Sequence, residues 1–147
     1  MAAKRSGLSL LLFVGAALAC GGDGVGPSAD EVVGTWTATK VEYVSVSQPV
    51  QTIDLIAEGG TGTLAFSAAG TYLFTLEPID TPGQVDTGAW ELDGDILTMW
   101  PRGTNFEMRF DVVLSGNRLT LSGGDAQFDF DGDHEADDAK LYLVLVR

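Results

Sequence analysis

The densest group of chemically capable side chains lies in "DFDGDHEADD", residues 129–138, where six carboxylates fall in ten residues. Closely spaced oxygen ligands are what a hard divalent cation such as calcium requires. Set against an EF-hand loop that starts at Asp129, Asp131, Asp133 and Asp137 fill the third, fifth and ninth places. The sixth place needs Gly for its sharp turn and holds His134; the twelfth needs a bidentate Glu and holds Lys140. The segment is therefore not an EF-hand. Two readings stay open. In one, a looser Asp-x-Asp-Gly-Asp loop holds calcium through Asp129, Asp131, Asp133, Glu135 and Asp137, with backbone carbonyls and water completing the shell. In the other, Phe128 and Phe130 turn inward and the acids form the solvated tip of a hairpin.

Little else in the chain could do chemistry. His134 is the only His and Cys20 the only Cys. There is no Gly-x-Ser-x-Gly elbow, no zinc-type His spacing and no Gly-rich phosphate loop. "AEGGTGT" (57–63) has the glycines but no following Lys, and it reads as a turn. Glu91 with Asp93 could act as an acid–base pair, yet surface acids on strands are far commoner. The expectation is a non-enzyme without a cofactor, calcium apart.

The chain starts "MAAKRSGLSLLLFVGAALAC". Lys4 and Arg5 make a positive n-region, Leu8 to Ala19 is a short apolar run, and small residues precede Cys20. This pattern predicts a secretory signal peptide over residues 1–19. The run is shorter than the roughly 20 apolar residues of a membrane-spanning helix. The junction resembles a bacterial lipobox, which implies lipidation at Cys20 and explains an unpaired Cys in an exported chain. Gly21 rather than Asp follows, which favours the outer membrane, facing the periplasm. "GGDGVGPSAD" then makes residues 20–30 a lipidated Cys and flexible tether, and residues 31–147 the folded domain.

Removal of residues 1–19 takes away Lys4 and Arg5 and no acid, so the formal net charge moves from −13 to −15. Such a surface repels nucleic acid and anionic lipid. The membrane contact expected is therefore the anchor on Cys20, and no nucleic-acid partner is expected. The remaining 128 residues suffice for one domain with one core, and without disulfides that core must hold the fold unaided.

Ser28 with Glu31 three residues on is a capping-box pattern that starts a single helical turn. Beyond it every periodic segment has period two. In "NFEMRFDVV", Phe106, Met108, Phe110 and Val112 alternate with Asn105, Glu107, Arg109 and Asp111. "TYLFTLE" sets Tyr72, Phe74 and Leu76 on one face, and "KLYLVLV" is apolar on both, so it is central or covered. "DGD" (93–95) and "SGN" (115–117) are tight hairpin signals. The echo Leu-x-Gly-x-x-Leu-Thr at 92–98 and 114–120 reads as one hairpin type used twice. Eight to ten strands joined by hairpins predict an all-β, antiparallel up-and-down meander. Closing it into a small barrel removes the exposed edges; a two-sheet sandwich is the alternative.

The turn leading into "VVGTWTATKVEY", with Gly34-Thr35-Trp36 at the first strand, resembles the Gly-x-Trp signature of lipocalins. The pieces "GTYLFT", "GAWELDGDILTM" and "LSGNRLTL" are similar to those of small bacterial lipocalin-like domain lipoproteins, which are calycin-type β-barrels. The resemblance runs from Val32 to Arg147. It implies that Trp36 closes one barrel end and that Arg147 packs across it by cation–π contact. It also implies a binding protein for a small apolar ligand, with Phe74, Trp90, Trp100, Phe106, Met108 and Phe110 as candidate pocket residues, beside Trp90 or Trp100. The same side chains can instead fill the interior. The chain would then be a structural or protein-interaction module of the cell envelope.

Overall fold

The computed structural model describes residues 26–147. The expected signal peptide, Cys20 and most of the expected tether lie outside the described residues. One helical turn, α1 (Ala29–Val32), precedes nine strands: β1 (Gly34–Ser45), β2 (Thr52–Asp54), β3 (Thr61–Phe66), β4 (Thr71–Glu77), β5 (Gln84–Asp93), β6 (Ile96–Pro101), β7 (Met108–Ser115), β8 (Arg118–Phe128) and β9 (Asp137–Val146). The Ser28 amide and hydroxyl both donate to Glu31 Oε2, at 2.8 and 3.0 Å, and the Glu31 amide donates back to the Ser28 carbonyl at 3.1 Å, which together hold so short a helix.

From β3 to β9 each strand pairs antiparallel with the next, β3 pairs back to β1, and β1 pairs with β9 from Thr37↔Val146 to Ser45↔Ala139. Eight strands thus close into an up-and-down barrel with no free edge of their own, and β2 adds to the far half of β1 at Glu42–Val44. The meander follows from turn chemistry. Asp93 faces Ile96 across Gly94-Asp95, and Ser115 faces Arg118 across Gly116-Asn117. Gly94 and Gly116 take φ of +62° and +58°, a region that costs other residues strain. The repeated Leu-x-Gly-x-x-Leu-Thr is the same two-residue hairpin built twice.

Alternation fills the interior. Met108, Phe110 and Val112 of β7 are buried, and Arg109 and Asp111 face water. Leu141, Leu143 and Leu145 of β9 point inward, and Tyr142, Val144 and Val146 outward. The two-faced apolarity of this strand suits its place between β1 and β8. Phe106 departs from the expected pattern: β7 starts at Met108, and Phe106 sits in the preceding loop, its amide donating to Thr104 Oγ1.

Two bulges change which residues face in. In β1 the inward set is Trp36 and Ala38, then Val41, Tyr43 and Ser45, because the register shifts between Ala38 and Lys40. In β8 it is Leu119 and Leu121, then Gly124 and Ala126, with a shift between Ser122 and Gly124. An extra residue reverses the phase of every side chain after it. These two strands flank β9, whose own phase is unbroken. The buried core runs from Val32 to Leu145 as one cluster. Among the described residues, 26–147, the eight-stranded barrel closes on itself around one core, so that segment can be studied by itself.

Candidate functional site

The two barrel ends differ. At the end where β1 starts, Trp36 is fully buried and its Nε1 donates to the Val32 carbonyl at 2.8 Å. The Arg147 guanidinium lies 4.2 Å from the centre of the Trp36 ring. It also donates to the carbonyl of Glu31 at 2.9 Å and that of Val33 at 3.1 Å. One side chain thus stacks on the tryptophan and caps the orphan carbonyls of α1, and this end is closed. Trp90 sits at the same end, tilted against Phe66 at 5.0 Å, its Nε1 donating to the Ser67 carbonyl.

Toward the opposite end lies an inner cavity of about 250 Å³. Phe74, Phe106, Met108 and Phe110 line it, together with Leu64, Met99 and Leu141. An outer cavity of about 510 Å³ adjoins it, floored by Ile53, Leu55, Pro78, Ile79 and Phe128. Tyr43, Gln84 and Gln127 border both. Tyr43 is stacked on Phe128 at 4.8 Å, and Phe128 meets Phe130 edge-on at 5.0 Å.

Four of the six expected pocket residues therefore meet at one cavity, and two do not. Trp90 belongs to the closed end. Trp100 is on the outer face of β6, because Leu97 and Met99 take the inward positions and the next residue must point out; its Nε1 donates to the Glu107 carboxylate. The cavity is beside neither tryptophan.

The polar groups of the cavity escaped the sequence reading. Asp86 and Gln84 share the parity of Trp90 and Leu92 along β5, so they face the interior with them. That parity was the available signal; a Gln-x-Asp run is ordinarily assigned to the wet face. Tyr72 OH donates to Asp86 Oδ2 at 2.6 Å. Burial, followed by this bond and the carboxylate charge, pushes the Tyr72 phenol well above its ordinary value. Burial and then the charge of Asp86 push Tyr43 up from 10.0 to about 12.

The Tyr43 shift has a measurable consequence. The unfolded chain releases this proton near pH 10, and the barrel holds it to about pH 12. The stability associated with it is complete below pH 10 and is lost between those values, at about 1.4 kcal/mol per pH unit. Denaturant midpoints measured across that window should fall in the wild type and fall less steeply in Tyr43→Phe. Parallel curves for the two proteins would contradict this account.

In the acidic loop, Asp129, Asp131 and Asp137 bring carboxylate oxygens within 4.8 Å of one another. Asp133 and Glu135, named with them from sequence, are not in that group: Asp133 instead accepts the Glu135 amide at 2.8 Å. Asp129 accepts amides from Gly132 at 2.7 Å and His134 at 3.0 Å. Partial burial acts to raise the Asp129 carboxyl, but the amides of Gly132, His134 and Asp133 and the His134 charge outweigh it and hold the group low. These bonds satisfy the loop through its own backbone, as turn-forming Asp residues do.

No curated protein matches the chain. Among solved structures, an uncharacterized protein from Bacteroides eggerthii is similar, at 14% identity over 76% of this chain and 97% of that one, with a TM-score of 0.42. The family model described as a lipocalin-like domain matches residues 32–121, from the turn before Trp36 to the end of the second Leu-x-Gly-x-x-Leu-Thr hairpin. On that match and the closed eight-stranded antiparallel barrel, the chain belongs to the lipocalin-like domain family.

Proposed function

We propose that this protein is a lipid-anchored envelope lipoprotein, held through Cys20 at the outer membrane and facing the periplasm, whose barrel binds a small apolar molecule without catalysis. The observation that carries the binding reading is the inner cavity. It has aromatic and methionine walls at the end opposite Trp36, with few polar groups converging on it. A filled barrel acting purely as an interaction module fits that space less well. Family membership favours binding over catalysis, and among the described residues no Cys, His or Lys lines either cavity. The anchor reading rests on the pattern from Lys4 to Cys20.

A neutral apolar dye such as N-phenyl-1-naphthylamine is expected to bind residues 26–147 saturably, with fluorescence enhancement at one site. Ala126 is 8% exposed and lines the inner cavity. Ala126→Phe sets a ring into that space and should abolish the enhancement while the protein stays folded by circular dichroism. Dye binding that is linear in concentration, or unchanged in Ala126→Phe, would count against the cavity as the site. Labelling of the full chain with a radioactive fatty acid in a bacterial host, lost in Cys20→Ser, tests the anchor.

A further inference from the structure

The chemical class of the ligand can be read from the charges around the cavity, given the binding reading above. Asp86 faces the barrel interior and lines the inner cavity among Phe74, Phe106 and Phe110. Its Oδ2 accepts the Tyr72 hydroxyl, and no Lys, Arg or His among the described residues comes within ion-pair distance of it. The half-buried carboxylate thus has no cationic partner among the described residues and can accept a charge-assisted hydrogen bond from one. Gln84 and Gln127, which border both cavities, are neutral. The outer cavity adds Glu58, Asp80 and Asp129, so among the described residues every formally charged side chain lining the two spaces is negative. Apolar walls with a negative field at the mouth repel fatty acids and other anionic amphiphiles and concentrate cationic ones.

We propose that the cavity takes an amphipathic cation, a primary or secondary amine with a compact apolar body, its ammonium group donating to Asp86 and its hydrocarbon lying against Phe74, Phe106, Met108 and Phe110. The free Asp86 oxygen supplies the acceptor that Tyr72 leaves unused. The carboxylate is the direct cross-strand partner of Phe74 on β4 and β5, which sets the head group beside the aromatic wall. The ligand's amine and apolar parts thus meet complementary surfaces at the same time.

Calorimetry on residues 26–147 with octylamine, 1-octanol and octanoate, which share a chain and differ in head group, tests this. Octylamine is expected to bind at one site, about tenfold or more tighter than octanol, the gain of a charge-assisted hydrogen bond over a neutral one. Octanoate should bind weakest. Octylamine should also displace the neutral dye, which places it in the cavity whatever the variants do. Asp86→Asn keeps the shape and can still accept from Tyr72, and it should bring amine and alcohol to equal affinity. Asp93→Asn, on the β5–β6 hairpin at the closed end, removes one negative charge equally and should leave the preference intact. Octanol or octanoate binding as tightly as octylamine overturns the cation assignment and leaves cavity binding standing. So does an amine preference that survives in Asp86→Asn or disappears in Asp93→Asn. Absence of saturable binding by the dye and all three probes overturns the binding reading and this inference together.

Discussion

Trp36→Ala is expected to destabilise the barrel by about 3–5 kcal/mol, the range for truncating a fully buried large aromatic. The side chain is entirely inside, and its neighbours make collapse around the hole difficult. Its ring supports the Arg147 guanidinium, and that guanidinium in turn holds the carbonyls of Glu31 and Val33. Removal of the ring therefore leaves a cavity, frees the cap of α1 and unseats the residue after β9 at once. Trp36→Phe keeps most of the apolar area but strands the Val32 carbonyl that now accepts from Nε1 at 2.8 Å. It should cost about 1–3 kcal/mol, the penalty of an unmatched buried acceptor together with the lost volume. Urea unfolding of residues 26–147 followed by fluorescence of the two remaining tryptophans reads both variants. A loss under about 1 kcal/mol for Trp36→Ala would mean that this end is not closed as described.

Gly124→Ala should cost about 1–3 kcal/mol through overpacking, and Phe110→Leu should relieve it. A β-carbon on Gly124 would stand 2.2 Å from Phe110 Cε1 and 2.3 Å from Cζ. The bulge before Gly124 brings it to the inner face, and the Phe110 ring occupies the space a side chain would need. Backbone strain is not the cause, since the left-handed residue of this bulge is its neighbour Gly123, at φ +80°. The methyl group and the ring compete for one volume, so the double variant should be more stable than the sum of the single effects. A coupling of about 0.5–3 kcal/mol in that direction is expected from a double-mutant cycle on denaturant midpoints. Additive effects would show that the ring and the bulge do not share that volume.

The strand count, the hairpins and the antiparallel meander were legible because each rests on local physics. Period-two alternation, as in Met108, Phe110 and Val112, marks a ribbon with one buried face. Gly94 and Gly116 mark turns that only a few residue types tolerate. The pairing of Trp36 with Arg147 was named from a family resemblance. Residue patterns alone do not bring together groups separated by the length of the chain.

The pocket was legible only in part, for a physical reason visible in β5 and β6. Hydrophobicity says that Trp90 and Trp100 should be sheltered, and they are, but by different means. Trp90 packs on Phe66 at the closed end, and Trp100 lies along the outer wall with its indole nitrogen on Glu107. Alternation assigns a side of the sheet and carries no information about height along the barrel. The inward Asp86 was missed for the converse reason: parity placed it inside, and polarity argued that it belonged outside.

By itself the sequence determined a strand-and-turn ribbon, all-β and self-covering, with one apolar face and a helical turn before Trp36, since these depend on contacts between near neighbours. Tertiary structure decided which residues share a cavity. The bulges in β1 and β8 bring Tyr43 and Ala126 to the inner face, and closure of β1 on β9 sets them opposite Asp86 and Phe74. Phase at a bulge and stagger at a seam are settled by the fit of the whole barrel, a balance of packing summed over strands that no single segment contains.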